Sequence, residues 1–189
     1  TTGSNSQGIG IDDVSIKPCG TVSAPTASNQ AFCSAASTTV ASLTATGTSV
    51  QWYSASTGGT ALSTSTALAN STTYYATQTV GGCESVTRTA VVVTINSNPS
   101  APTGSATQTL CSGATVAELS ASGSSIQWYA ASSGGSALAT NTALVNGTHY
   151  YASQTSNSCE STTRLDVTAA IVSSGSWIGG HFNRLVECF

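Results

Sequence analysis

With only four Lys and Arg and seven Asp and Glu in 189 residues, the charged side chains of this sequence can be weighed one by one. Two pairs recur in matching surroundings: Glu84 with Arg88, and Glu160 with Arg164. A carboxylate four residues from a guanidinium could serve acid–base chemistry or could hold a loop. On a strand the two would share a face but sit roughly 13 Å apart, so a direct bond requires the glutamate to lie in a turn and fold back. That spacing favours a structural role, with each arginine tying down a loop or its carbonyls. Glycoside hydrolysis needs two carboxylates facing each other across a cleft, and each repeated motif carries a single glutamate. His149 has Thr73 at the corresponding place in the repeat described below, and His181 lies in a tail of different composition. There is no G-x-S-x-G serine and no phosphate-binding G-x-x-x-x-G-K loop. Adjacent Asp12 and Asp13 offer hard oxygens that suit calcium, the one metal candidate in the chain. No catalytic group and no cofactor are expected.

The six cysteines include no C-x-x-C pair and no zinc-like spacing. Cysteines in such number point to disulfides and to an oxidising, extracellular compartment. Ser and Thr make up roughly a third of the chain, yet hydrophobic residues reach 39% and the formal charge is only −3. That combination departs from the low hydrophobicity and high charge of disordered chains. Four cations cannot build a phosphate-binding surface, so nucleic acid is excluded as a partner. No run of 18 apolar residues is present, so no membrane span is expected.

What must position these residues is a repeat. VQWYSASTGGTALSTSTALANSTTYYATQTVGGCESVTRTAV, from Val50, returns from Ile126 without a gap, so Trp52, Tyr75, Cys83 and Arg88 map to Trp128, Tyr151, Cys159 and Arg164. Cys33 maps to Cys111, and Pro25 to Pro102. The boundaries fall at 22–96 and 102–172, with a linker at 97–101. Each copy reads as short strands between turn signals, an all-β sandwich pattern. Strands are expected at 40–45, 49–54, 73–79 and 88–95, with a tight turn at Gly58-Gly59. In the second strand Val50 and Trp52 share one face and Gln51 and Tyr53 the other. Trp52 and Trp128 are therefore expected in the core, and Tyr53 and Tyr129 on the outside, where an aromatic ring could stack on a sugar. Asn70-Ser71-Thr72 and Asn146-Gly147-Thr148 have the form of glycosylation sequons but suit turns equally.

The combination Cys33, Gln51-Trp52-Tyr53, Gly58-Gly59, Tyr74-Tyr75, Cys83-Glu84-Ser85 and Arg88, repeated at Cys111, Gln127-Trp128-Tyr129, Gly134-Gly135, Tyr150-Tyr151, Cys159-Glu160-Ser161 and Arg164, resembles the immunoglobulin-like repeat modules of Bacteroidetes secreted and cell-surface proteins. Gliding-motility adhesins and type IX secretion cargo carry such modules. The resemblance implies two tandem immunoglobulin-like antiparallel sandwiches, each with one disulfide. It implies a non-catalytic spacer or adhesive role, with neighbouring domains of the same polypeptide and surface polysaccharide as partners. The alternative is a carbohydrate-binding accessory module of a polysaccharide-degrading enzyme. Because both copies carry the same two cysteines, bridges Cys33–Cys83 and Cys111–Cys159 are expected, leaving Cys19 and Cys188 outside the repeat. Gly8 to Ile16 resembles the closing strand of a jelly-roll domain, so residues 1–21 read as the tail of an upstream domain plus linker. Residues 173–189 match neither copy and read as an atypical tail, either native or derived from cloning or read-through.

Overall fold

The computed structural model describes residues 20–172. Asp12, Asp13, Cys19, the Gly8–Ile16 segment, His181 and Cys188 lie outside the described residues. Two β-modules follow one another, and no α-helix occurs among the described residues. In module 1 the strands are β1 (Gln30–Cys33), β2 (Gln51–Tyr53), β3 (Thr72–Thr77), β4 (Thr79–Val80), β5 (Cys83–Glu84) and β6 (Thr89–Asn96). Module 2 repeats them as β7 (Thr107–Cys111), β8 (Gln127–Tyr129), β9 (His149–Ser153), β10 (Thr155–Ser156), β11 (Cys159–Glu160) and β12 (Leu165–Val172). Each has a four-stranded sheet, ordered β1-β6-β3-β2 and β7-β12-β9-β8, and a separate two-stranded hairpin, β4–β5 or β10–β11. The first strand runs parallel to the last, and the other pairings are antiparallel.

Alternation along the strands accounts for the core. Val91 and Val93 of β6 are wholly buried, while Val92 between them is exposed. On the same face Trp52 pairs with Ala76, and Tyr74 with Val91, so a large side chain meets a small one. Val40, Leu43 and Leu68 close the cluster from outside the sheet, and module 2 packs the same way around Trp128. The covering layer is irregular. The stretch expected as a strand at 40–45 forms instead a 3-10 turn, Val40–Ser42, whose amides reach the carbonyls of Thr66 and Thr64. Its apolar residues, Val40 and Leu43, are three apart, the spacing that brings both to one side of such a turn. Gly58 and Gly59 both take positive φ, +63° and +74°, and return the chain so that the amide of Leu62 bonds the carbonyl of Trp52.

The disulfide pairing differs from the expected one. Cys33 is bonded to Cys159, with 5.6 Å between their Cα atoms, so neither Cys33–Cys83 nor Cys111–Cys159 forms. Cys83 and Cys111 are also disulfide-bonded. The reason lies in the topology. Cys33 ends β1 opposite Asn96, the last residue of β6. Cys83 lies in the hairpin that follows β3, and β3 runs out beside Thr89, the first residue of β6. The two cysteines of a module thus sit at opposite ends of an eight-residue strand, roughly 23 Å apart, whereas a disulfide needs Cα atoms within about 7 Å. The staple joins the far end of module 1 to the hairpin of module 2. Each sandwich therefore lacks the internal bridge that the repeat pattern suggests.

The 97–101 linker is pinned into the same joint. The Asn98 side-chain carbonyl accepts from the Ser34 hydroxyl and the Ala35 amide, at 3.1 and 2.9 Å. Its amide nitrogen donates to the carbonyl of Glu160 in module 2 at 2.8 Å. Asn96 Nδ2 donates to the carbonyl of Asn157 in the turn of the same hairpin.

Candidate functional site

The recurring Glu and Arg meet at one tyrosine. Strand β2 delivers Tyr53 to the outer face of the sheet, and the hairpin folds Glu84 back over it. The Tyr53 hydroxyl donates to Glu84 Oε1 at 2.6 Å, and the Arg88 guanidinium lies 3.5 Å from the ring centroid. Module 2 reproduces this as Tyr129 to Glu160 at 2.7 Å, with Arg164 over the ring at 3.4 Å. Arg88 Nη1 donates to the carbonyl of Ala55, and Arg164 Nη1 to those of Ala131 and Gly134. The arginines thus tie the β2 and β8 turns to the last strands. Direct Glu–Arg contact is marginal, at 4.0 Å between Glu160 and Arg164. Tyr53 and Tyr129 do not face outward as ligand platforms: they are 6% and 5% exposed. Strand alternation does send them to the outer face, but the hairpin and the arginine roof that face. Trp52 and Trp128, 6% and 7% exposed, belong to the cores.

Each carboxylate titrates below its ordinary value. The Thr77 hydroxyl contributes most at Glu84, followed by the Tyr53 phenol, and the Arg88 charge acts in the same direction. At Glu160 the order is Ser153, Tyr129 and Arg164. The buried hydroxyls of Thr77 and Ser153 meet no partner in hydrogen-bond geometry, so they act by proximity and the phenol makes the well-formed bond. Conversely, the phenols are raised above 10.0, Tyr53 chiefly by its bond to Glu84 and Tyr129 chiefly by burial. Such a pair holds its proton on the phenol and its charge on the carboxylate, and both groups are occupied with each other. That is a clamp, not a proton-transfer dyad.

The signs give a pH prediction. A lowered carboxylate contributes stability that is present above its unfolded value, near 4.5, and is lost as pH falls through the lowered value. A raised phenol contributes stability that is present below 10.0 and is lost as pH rises through the raised value. Thermal midpoints should therefore hold from neutral pH to about 5 and decline below it. Glu84→Gln with Glu160→Gln should lower the plateau by about 1 kcal/mol per module and flatten the acid decline. An acid limb as steep in the double variant as in the parent would remove the clamp from the account.

Gln78 and Gln154, which sequence reading passed over, brace the same end of each module. Gln78 Nε2 donates to the Ser23 carbonyl at 2.8 Å, and its Oε1 accepts from the Thr48 amide at 3.0 Å. Gln154 does the same with Ser100 and Ser124. The available signal was their recurrence at one register in T-Q-T and S-Q-T. A Cβ at Gly123 would lie 2.6 Å from Gln154 Oε1 and 2.9 Å from Ile126 Cδ1. Gly123→Ala should accordingly dislodge the glutamine and cost about 1–3 kcal/mol, read as a lower midpoint for module 2 alone. The sequon asparagines also have structural work: Asn70 Oδ1 accepts from the Ile95 amide and Asn146 Oδ1 from Ile171.

His149 bonds Asp166 at 2.8 Å on the surface of module 2, where module 1 has Thr73 and Ala90. Among the described residues no group of three His, Cys, Asp or Glu side chains could hold a metal. No helix there is long and apolar enough to cross a membrane.

Residues 23–96 and 99–172 each match the family model described as Ig-like domain CHU_C associated. No curated protein matches the chain. With both β-modules matched along nearly their whole length, the chain belongs to this family of Ig-like domains, carried twice in tandem.

Proposed function

We propose that this chain is a non-catalytic spacer and adhesive segment of a multidomain secreted or cell-surface protein. The Bacteroidetes, with their type IX secretion cargo, are the source we favour, on the repeated motifs alone. The observation that carries the reading is the joint. A disulfide and the Asn96 and Asn98 side chains fix one module on the next, which sets their spacing. A disulfide in that position also supports an oxidising compartment. Trp52 and Trp128 are spent on the cores, and Tyr53 and Tyr129 on the clamps, not on a sugar platform.

Distance measurement between spin labels on the two outer ends tests the spacer reading. A narrow distribution that broadens on reduction is expected; a broad distribution in the oxidised protein would overturn it. The accessory-module alternative has one specific foothold, the exposed His149 ring stacked 6.4 Å from Tyr151. Polysaccharide pull-down that retained the protein and was abolished by Tyr151→Ala would favour that alternative.

A further inference from the structure

The two cysteines of the joint are bracketed by one side chain. Ser34 and Ala35 follow Cys33 directly, and Glu160 follows Cys159. Asn98 Oδ1 accepts from the Ser34 hydroxyl and the Ala35 amide, while its Nδ2 donates to the Glu160 carbonyl. The Asn98 backbone amide also donates to Ser34 Oγ, at 3.3 Å. Asn96, the register partner of Cys33, reaches Asn157, two residues before Cys159. Together these contacts tie the neighbours of one sulfur to the neighbours of the other without passing through either sulfur.

The side chains that do this occur once. Counting from Pro25 and Pro102, the counterpart of Asn98 is Thr21, and the counterpart of Asn96 in β12 is Val172. The receiving turn is also peculiar to module 1. Six residues separate Cys33 from Val40, whereas four separate Cys111 from Val116. The shorter stretch closes as a tight turn, with the Ala114 amide on the Cys111 carbonyl and Gly113 at φ +89°. In module 1 the two extra residues extend it into a 3-10 turn, Ser34–Ala36. Ser37 ends that turn at φ +45°, a conformation that side chains disfavour. It is this longer turn that presents the Ser34 hydroxyl and the Ala35 amide to Asn98.

We propose that Asn98 is a positioning residue for oxidation: it docks the reduced modules with the Cys33 and Cys159 thiols together, and so selects that pairing among the six cysteines. Thiols 126 residues apart meet rarely in a loosely jointed chain, and a transient dock raises their effective concentration. A few hydrogen bonds make a weak clip, and the disulfide that the clip guides makes the joint permanent. The chemistry is thiol–disulfide exchange with a disulfide-bearing oxidant, small or protein. Half-buried Cys33 is the sulfur such an oxidant reaches; its thiolate attacks the oxidant's disulfide and expels one thiolate. Cys159, 1% exposed, then attacks Cys33 Sγ as the thiolate, and the second oxidant sulfur leaves. The cysteine pair has lost two protons and two electrons to the oxidant.

Reoxidation of the full chain tests this, after reduction without denaturant and in a glutathione buffer. Peptide mapping of quenched samples is expected to show Cys33–Cys159 forming ahead of the other bonds. Asn98→Asp keeps the acceptor for Ser34 and Ala35 but puts a charge where the donor to Glu160 was. It should slow closure of Cys33–Cys159 about tenfold and raise the share of Cys33 in other pairings, as should Asn98→Ala. Both variants should keep both thermal transitions. An asparagine that only braced the Ser34–Ala36 turn would tolerate the aspartate. Parental closure rates and pairing in the two variants would overturn the proposal, as would a parent chain in which Cys33–Cys159 forms last.

Discussion

Trp52→Ala should unfold module 1 and leave module 2 folded, and Trp128→Ala should do the reverse. Each indole sits in a core whose other large members are few: Val40, Leu43, Leu68 and Tyr74 around Trp52, and Val116, Leu119 and Tyr150 around Trp128. Truncating a buried aromatic costs about 3–5 kcal/mol, the sum of lost transfer energy and an unfilled cavity. That is comparable to the whole stability of a domain of this size. The alanine opposite each tryptophan, Ala76 or Ala152, cannot fill the space. Calorimetry should show one transition missing and the other retained, and hydrogen exchange should assign the lost one. An unchanged transition for the substituted module would place its indole outside the core.

Cys33→Ser with Cys159→Ser should release the joint without melting either sheet. The bond closes a sequence separation of 126 residues, worth about 5 kcal/mol in the chain-entropy treatment, less any native strain. Because the bond joins modules instead of lying within one, little of that should appear in either local transition. The loss should appear as a wider range of intermodule distances and as faster exchange at 155–160. Asn96 and Asn98 would then hold the joint by hydrogen bonds alone, and Asn96→Ala with Asn98→Ala in the disulfide-free protein should remove the remaining order. A serine variant that kept the narrow distance distribution would show that the hydrogen bonds suffice.

Strand and turn positions were legible because two copies carry the same alternation, and Val91 and Val93 lie inward as that alternation requires. The covering layer was not legible. Val40 to Ala45 has strand-forming residues, but the chain there crosses the open side of the sheet and makes single bridges at Thr39 and Thr46. A residue's face was readable, but what covers the face was not. Period-two alternation sends Tyr53 outward, and only the folded-back hairpin and Arg88 bury it. The cysteine pairing misled for a related reason. Repetition suggests that two cysteines in one copy belong together, yet position along the sheet decides, and only the register of β1 on β6 reveals that they are a strand's length apart. Glu84 and Arg88 could be read as structural from spacing alone, but their common partner, Tyr53, lies 31 residues before the glutamate, beyond any local pattern.

The Cys33–Cys159 bond also decides how the pair would respond to being pulled. Tension applied at the two ends enters along the chain to Cys33, crosses the sulfurs and leaves from Cys159. The polypeptide between them, which includes β2 to β10 together with both tryptophans, lies off that load path. Even if those strands came apart, the enclosed loop could not pay out the roughly 420–450 Å that so many residues would otherwise release. Two modules joined this way stretch little before their covalent bonds take the strain, and become extensible when their surroundings turn reducing.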